Sequence, residues 1–226
     1  MTPTNRHARF DAAIFDFDET MVNLERQHRG ADESLCRNRG NRYLDIPADI
    51  RNRSGMRVID EIAGMKDYFG WPDPLEGLIA ERADLFMENL TNSEVELLPG
   101  VSNLVSALRR RGLLLAVTSS GMRDYIEFLL SRFDLSDSFD RLVAGDQVSK
   151  PKPDPQPYLK TAGLLGVEPA RCVVFEDSSV GVMAAKSAGM YCVAVRNLYV
   201  RAAQELTAAD LIVMTLSEVD VESLMR

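Results

Sequence analysis

The chain has 226 residues, 46% of them hydrophobic and 27% charged, with a formal net charge of −8. That composition excludes a disordered chain, and the acidic balance disfavours nonspecific nucleic-acid binding. No run approaches the roughly 18 apolar residues of a membrane span, so no membrane partner is expected.

Six apolar, β-branched runs alternate with helical patterns. Strands are predicted at Ala12–Phe15, Leu113–Val117, Arg141–Ala144, Cys172–Phe175, Tyr191–Val195 and Leu211–Met214. Helices are predicted at Val101–Arg111, Arg123–Phe133, Gln156–Leu165 and Ser178–Ala188, three of them closed by Gly112, Gly166 and Gly189. This alternation predicts an α/β fold with a Rossmann-like, doubly wound parallel sheet. From about Asn23 to Glu96 no strand run occurs, only helix-like stretches such as Val58–Tyr68 and Leu78–Asn89, separated by Trp71-Pro72-Asp73-Pro74. The expected organisation is a catalytic core of residues 1–22 and 97–226 carrying an all-helical cap, residues 23–96, on linkers near Met21–Leu24 and Val95–Pro99. An insertion after the first strand overhangs the crevice where such sheets bind ligands.

Polar clusters fall at the ends of the predicted strands. Asp16 and Asp18 follow the first strand two positions apart and share one side of it; an acidic turn is the plain alternative. Thr118-Ser119-Ser120-Gly121 follows the second and precedes a helix, where it could bind an anion or simply cap the helix. Lys150-Pro151-Lys152-Pro153-Asp154-Pro155 is stiffened by its prolines. Lys150 is taken as the cation that meets phosphate, and Lys152 as a surface lysine. Glu176 and Asp177 follow the fourth strand, bringing to four the acids at one sheet edge. Four acids with one lysine call for a bound cation, and an oxygen-only set selects a hard ion such as Mg²⁺. Cys36, Cys172 and Cys192 are too scattered for zinc or a disulfide framework and read as buried free thiols.

Asp16-Phe17-Asp18-Glu19-Thr20, Thr118 with Ser119, Lys150-Pro151 and Glu176-Asp177 together resemble the four motifs of the haloacid dehalogenase superfamily, in its β-phosphoglucomutase-like group of phosphatases and mutases. The resemblance implies an aspartyl-phosphate mechanism on a small phosphorylated metabolite. Asp16 would be the nucleophile and Asp18 the acid and base. Thr118, the Ser119 amide and Lys150 would hold the phosphoryl group, and Asp16, Asp18, Glu176 and Asp177 the Mg²⁺. Glu19 departs from the usual Gly, and Asn23 from a frequent Asp. Thr20 leans towards phosphatases; His28, near the hinge, leans towards a sugar-phosphate mutase, the alternative reading. A non-catalytic phosphoacceptor module is disfavoured by Asp18 and by the insertion. Between Arg26 and Arg57 eight arginines face four acids; Arg53 and Arg57, flanking Ser54-Gly55, are the candidates for gripping substrate. The first ten residues lack a signal peptide's apolar segment, so a cytoplasmic monomer or homodimer is expected.

Overall fold

The computed structural model describes residues 9–51, 55–196 and 204–226. Six strands form one sheet: β1 (Ala12–Phe15), β2 (Leu114–Thr118), β3 (Arg141–Val143), β4 (Cys172–Glu176), β5 (Tyr191–Val195) and β6 (Leu211–Val213). Their order is β3-β2-β1-β4-β5-β6 and each neighbouring pair is parallel. The order reverses between β1 and β4, so their carboxyl ends open the crevice that a doubly wound sheet offers a ligand.

Side chains alternate across the sheet as the strand repeat requires. Ala13, Phe15, Leu115, Val117, Val173 and Phe175 belong to one buried cluster, and Ala12, Ile14, Cys172, Val174 and Cys192 to another. Phe15 and Phe175, on neighbouring strands, stack at 4.7 Å. All three cysteines are buried and free. Helices α5 (Val101–Arg110), α6 (Arg123–Arg132), α7 (Gln156–Leu165) and α8 (Ser179–Ser187) connect the strands, and a short α9 (Val221–Leu224) follows β6. Gly112 and Gly166 take positive φ at the ends of α5 and α7 (82° and 69°), which a side chain would disfavour.

Among the described residues, four α-helices lie between β1 and α5: α1 (Glu25–Arg37), α2 (Ala48–Arg51), α3 (Val58–Phe69) and α4 (Leu75–Thr91). They enclose a cluster of their own, including Leu35, Ile46, Ile62, Met65, Trp71 and Leu78. The segment is nevertheless not detached from the sheet, because Leu24, Ala31, Phe86 and Leu90 join the larger core cluster. Its entry and exit strands are tied together: Val22 bridges Leu97, and the Leu98 amide donates to the Met21 carbonyl at 2.8 Å. Helix α1 was not among the predicted stretches. Its buried face includes Gln27 and Asp32 beside Ala31, Leu35 and Cys36, so its apolar stripe is interrupted by polar residues.

Candidate active site

The carboxyl ends of β1, β2 and β4 place Asp16, Thr118 and Glu176 side by side, and β1 runs directly into Asp18. Asp16, Glu176 and Asp177 each offer a carboxylate oxygen within 4.8 Å of the others. A buried lysine lies between two of them. Its Nζ donates to Asp16 Oδ1 at 2.7 Å, to Glu176 Oε1 at 2.6 Å and to the Thr118 carbonyl at 3.3 Å.

That lysine is Lys152, not Lys150. The Lys150 side chain is 69% exposed and, among the described residues, is paired with Asp154 at 4.0 Å. The Lys150 amide is held by Gln156 Oε1 (2.8 Å) at the start of α7, on the outer side of the proline-stiffened turn. Two residues later the chain has turned inwards: the Lys152 ammonium lies 5.0 Å from the Tyr158 ring centre, and the Tyr158 hydroxyl donates to Glu176 Oε1 at 2.9 Å. Burial disfavours a charged lysine, but Asp16 and Glu176 more than offset it and raise the Lys152 pKa. The sequence signal for choosing between the lysines was Tyr158 and Thr161, one helical turn apart on the buried face of α7 beneath Lys152.

The two acids near this lysine differ in what remains free. Glu176 Oε2 accepts from the Asp177 and Ser178 amides and the Ser178 hydroxyl, at 2.8–3.0 Å, while Oε1 serves Lys152 and Tyr158. Glu176 is therefore fully engaged in holding Lys152 and the start of α8. Asp177 accepts at Oδ1 from Thr20 (3.3 Å), but its buried Oδ2 has no hydrogen-bond partner among the described residues. Burial first, then the charges of Glu176, Asp16 and Glu19, raise the Asp177 pKa. Asp16 is pushed up to about 8 by burial and by Glu176, against the opposing pull of Lys152. One ammonium cannot neutralise three buried carboxylates. An orphaned buried carboxylate oxygen in an all-oxygen cluster is the donor set a hard divalent cation needs.

Asp18 is held differently. Ser119 Oγ donates to its Oδ2 at 2.9 Å, the Tyr125 hydroxyl lies 2.9 and 2.7 Å from its two oxygens, and His28 Nε2 lies 3.2 Å from Oδ1. Burial alone would raise Asp18, yet the bonds from His28, Tyr125 and Ser119 hold its pKa below the usual value. The His28 tautomer follows from its other nitrogen. Arg82 Nη2 lies 2.9 Å from Nδ1, and a guanidinium only donates, so Nδ1 accepts and Nε2 carries the proton offered to Asp18. Arg82 Nε is bonded in turn to buried Asp32 at 3.0 Å. A chain of polar contacts thus runs from α4 and α1 to the loop after β1.

The remaining expected residues fall unevenly. The Thr118 hydroxyl is turned onto Thr161 (2.6 Å), whose own hydrogen goes to the Pro157 carbonyl. The Ser119 amide, expected to hold phosphate, donates to the Val143 carbonyl at 3.0 Å; its hydroxyl serves Asp18 instead. Ladder pairing with β3 claims that amide because it continues β2. Arg57 is paired bidentately with Asp60 (2.9 and 3.0 Å) and donates to the Val148 carbonyl at 3.2 Å, so its guanidinium ties the helical segment to the core. Arg53 lies outside the described residues. Gly55 also bridges the two parts: Ser120 Oγ donates to its carbonyl at 2.7 Å, and a Cβ there would meet Ser178 Oγ at 2.4 Å. Glu19 lies in the left-handed region (φ 62°), buried, with Oε1 accepting the Leu24 amide at 2.7 Å. Burial pushes its pKa up to about 8.

Comparison with known proteins follows this geometry. Validoxylamine A 7'-phosphate phosphatase of Streptomyces hygroscopicus subsp. limoneus is 32% identical over 210 residues, covering 93% of this chain and 96% of that protein. The fructose-1-phosphate phosphatase YqaB of Escherichia coli (strain K12) is 35% identical over 194 residues, 85% of this chain and 100% of that one. A crystal structure of Rhodobacter sphaeroides CbbY in complex with xylulose-(1,5)bisphosphate has a TM-score of 0.86 at 26% identity, over 96% of this chain and 100% of that one. A profile described as haloacid dehalogenase-like hydrolase matches residues 13–195. The chain belongs to the haloacid dehalogenase-like hydrolase family.

Proposed function

We propose that this protein is a Mg²⁺-dependent phosphatase that hydrolyses a small phosphorylated sugar or related phosphomonoester through an aspartyl-phosphate intermediate. The observation that carries the reading is the convergence of Asp16, Lys152 and the orphaned Asp177 Oδ2 beside a separately held Asp18. The names of the fructose-1-phosphate and validoxylamine A 7'-phosphate phosphatases support the substrate class.

Mg²⁺ would be held by Asp16, Asp177 and the Asp18 backbone carbonyl, and when bound it neutralises the crowded carboxylates and the incoming phosphoryl oxygens. Asp16 attacks phosphorus; its bond to phosphorus forms as the ester P–O bond breaks. Asp18 delivers a proton to the departing oxygen, then removes one from the water that cleaves the aspartyl phosphate, so that inorganic phosphate and free Asp16 are regenerated. Lys152, donating to Asp16 Oδ1, aims the nucleophile, pulls against the burial that favours its protonated form, and offers positive charge to the phosphoryl oxygens. The helical segment, residues 23–96, acts as a cap whose contacts at Gly55, Arg57 and His28 shield the site from bulk water.

The His28–Asp18 contact favours one second reading, a sugar-phosphate mutase, in which a sugar hydroxyl replaces water as acceptor. Phosphate release and isomerisation measured together on a panel of phosphorylated sugars separate the two: net phosphate release with Mg²⁺, abolished by EDTA and by Asp16→Asn, is expected. Full activity of Asp16→Asn would refute the nucleophile assignment.

A further inference from the structure

We propose that Tyr125 is a positioning residue for Asp18, fixing the orientation in which its carboxyl group meets the leaving oxygen. The inference rests on the acid and base role read for Asp18 above.

The Tyr125 hydroxyl contacts both carboxylate oxygens, at 2.7 and 2.9 Å, whereas Ser119 and His28 each meet one. The side chain is buried on α6 and cannot swing away freely. Its ring packs 4.9 Å from Phe86 and 5.9 Å from His28, residues of α4 and α1, and 6.5 Å from Phe17. The neighbouring backbone is shaped to admit the phenol: a Cβ on Gly121 would lie 1.7 Å from the Tyr125 hydroxyl oxygen and 3.0 Å from Asp18 Oδ2. Tyr125 also stands where a core helix touches both long helices of the insertion, so Asp18 is oriented by groups from both parts.

Energetically, a hydrogen bond to an ionised carboxylate is stronger than one to its protonated form. The phenol is therefore most favourable at the moment Asp18 has given its proton to the leaving oxygen. Tyr125 itself keeps its proton throughout and enters no covalent step. Its contribution should scale with the leaving group's need for protonation. A basic leaving group needs Asp18 most, and an acidic one departs with little help.

The test compares phenyl phosphate with p-nitrophenyl phosphate, esters of similar shape whose leaving groups differ in basicity, in the full-length protein with Mg²⁺. The quantity read is kcat/KM, which reports events up to loss of the leaving group. Tyr125→Phe is expected to lower it about tenfold for phenyl phosphate and less than about threefold for p-nitrophenyl phosphate, the scale of one charge-assisted hydrogen bond. In an Asp18→Asn background the same change should have no further effect on either ester. Gly121→Ala, which drives a methyl group onto the hydroxyl, should reproduce the selective loss. Equal losses on both esters, no loss, or an undiminished effect without the Asp18 carboxylate would overturn the proposal while leaving the role of Asp18 intact. An Asp18→Asn protein that hydrolyses both esters at the wild-type rate would instead overturn the acid and base reading, and the proposal with it.

Discussion

At the scale of the residue, two lysines two positions apart illustrate how little side-chain type says about role. Lys150 and Lys152 share a proline-flanked setting, yet one faces solvent and the other lies among three acids. Removing the exposed one deletes a contact of at most a few tenths of a kcal/mol. Removing the buried one deprives Asp16 and Glu176 of their ammonium partner and withdraws the charge from the proposed phosphoryl site. Lys152→Ala should lower kcat by about 10²–10³-fold or more, and Lys150→Ala by less than about twofold, in the same phosphate-release assay. Comparable losses from both would mean that the buried ammonium does not serve the chemistry.

Glu19 is a second residue with opposing effects. Its left-handed backbone costs about 1–2 kcal/mol, which a glycine would recover. Its carboxylate, however, accepts the Leu24 amide at the start of α1, where Leu24 supplies no side-chain cap of its own. The two contributions are similar in size, so Glu19→Gly should move the melting temperature by only a few degrees. The local consequence is larger. Hydrogen exchange at the Leu24 and Glu25 amides should accelerate in the variant, and unchanged protection there would show that the carboxylate does not secure the hinge.

At the scale of the element, helix α4 buries Leu78, Arg82, Phe86 and Leu90 on one four-residue ladder. A guanidinium in an otherwise apolar stripe is tolerated only with partners, here Asp32 and His28 from α1. The pair joins the two long helices of the insertion and sets the histidine tautomer that faces Asp18. Arg82→Met leaves a buried, unpaired Asp32 and should destabilise the fold by about 3–5 kcal/mol in urea unfolding. Adding Asp32→Leu should recover most of that loss without restoring activity. If Arg82→Met is no less stable than the parent, the ion pair is not what joins α1 to α4.

The same ladder shows what pattern reading can and cannot extract. The helix-like stretch predicted at Leu78–Asn89 lies within α4, and Arg82, four residues from both Leu78 and Phe86, was the available sign of an internal ion pair. In α1 the inward face carries Gln27 and Asp32 beside Leu35, and the period is broken. Chemistry on the buried side of a helix hides the helix from a hydrophobicity count. The central strands β1, β2, β4 and β5, buried on both faces, had no such ambiguity, and the predicted ends of all six strands agree with the structure within a residue.

At the scale of the whole molecule, the buried acids make stability depend on pH in a direction opposite to that of ordinary ion-paired carboxylates. Folded Asp16 and Glu19 titrate near 8, above their usual values of 3.8 and 4.5, and Asp177 is raised as well. Between about pH 4.5 and pH 8 the metal-free fold therefore binds protons that the unfolded chain has released, so its stability is greatest at the acid end and falls as pH rises. Asp11, Asp18, Glu81 and Asp210 are shifted the other way, and their contribution is lost only when pH falls below the usual carboxylate range. In EDTA the melting temperature should decrease from pH 5 to pH 8. Mg²⁺ should raise it by several degrees at pH 8, as about 2.7 kcal/mol at a hundredfold excess over Kd implies, and by little at pH 5. A melting temperature in EDTA that is level or climbs across this range would refute the account.

What the sequence determined on its own was the set of strand ends and the chemistry stationed at them. Strands buried on both faces read as continuous apolar runs, and polar residues at such ends have nowhere to go but the sheet edge. That local logic located Asp16, Asp18 and the Glu176-Asp177 pair. Tertiary structure decided which of two lysines turned inwards, that Thr118 and the Ser119 amide had protein partners, and that Arg57 was tied to Asp60 and Val148. It also supplied Tyr125 and Arg82. Apart from the local Arg57–Asp60 pair, those outcomes depend on contacts between residues far apart in the chain, where hydrogen-bond geometry and desolvation choose among side chains that a linear pattern treats as equivalent.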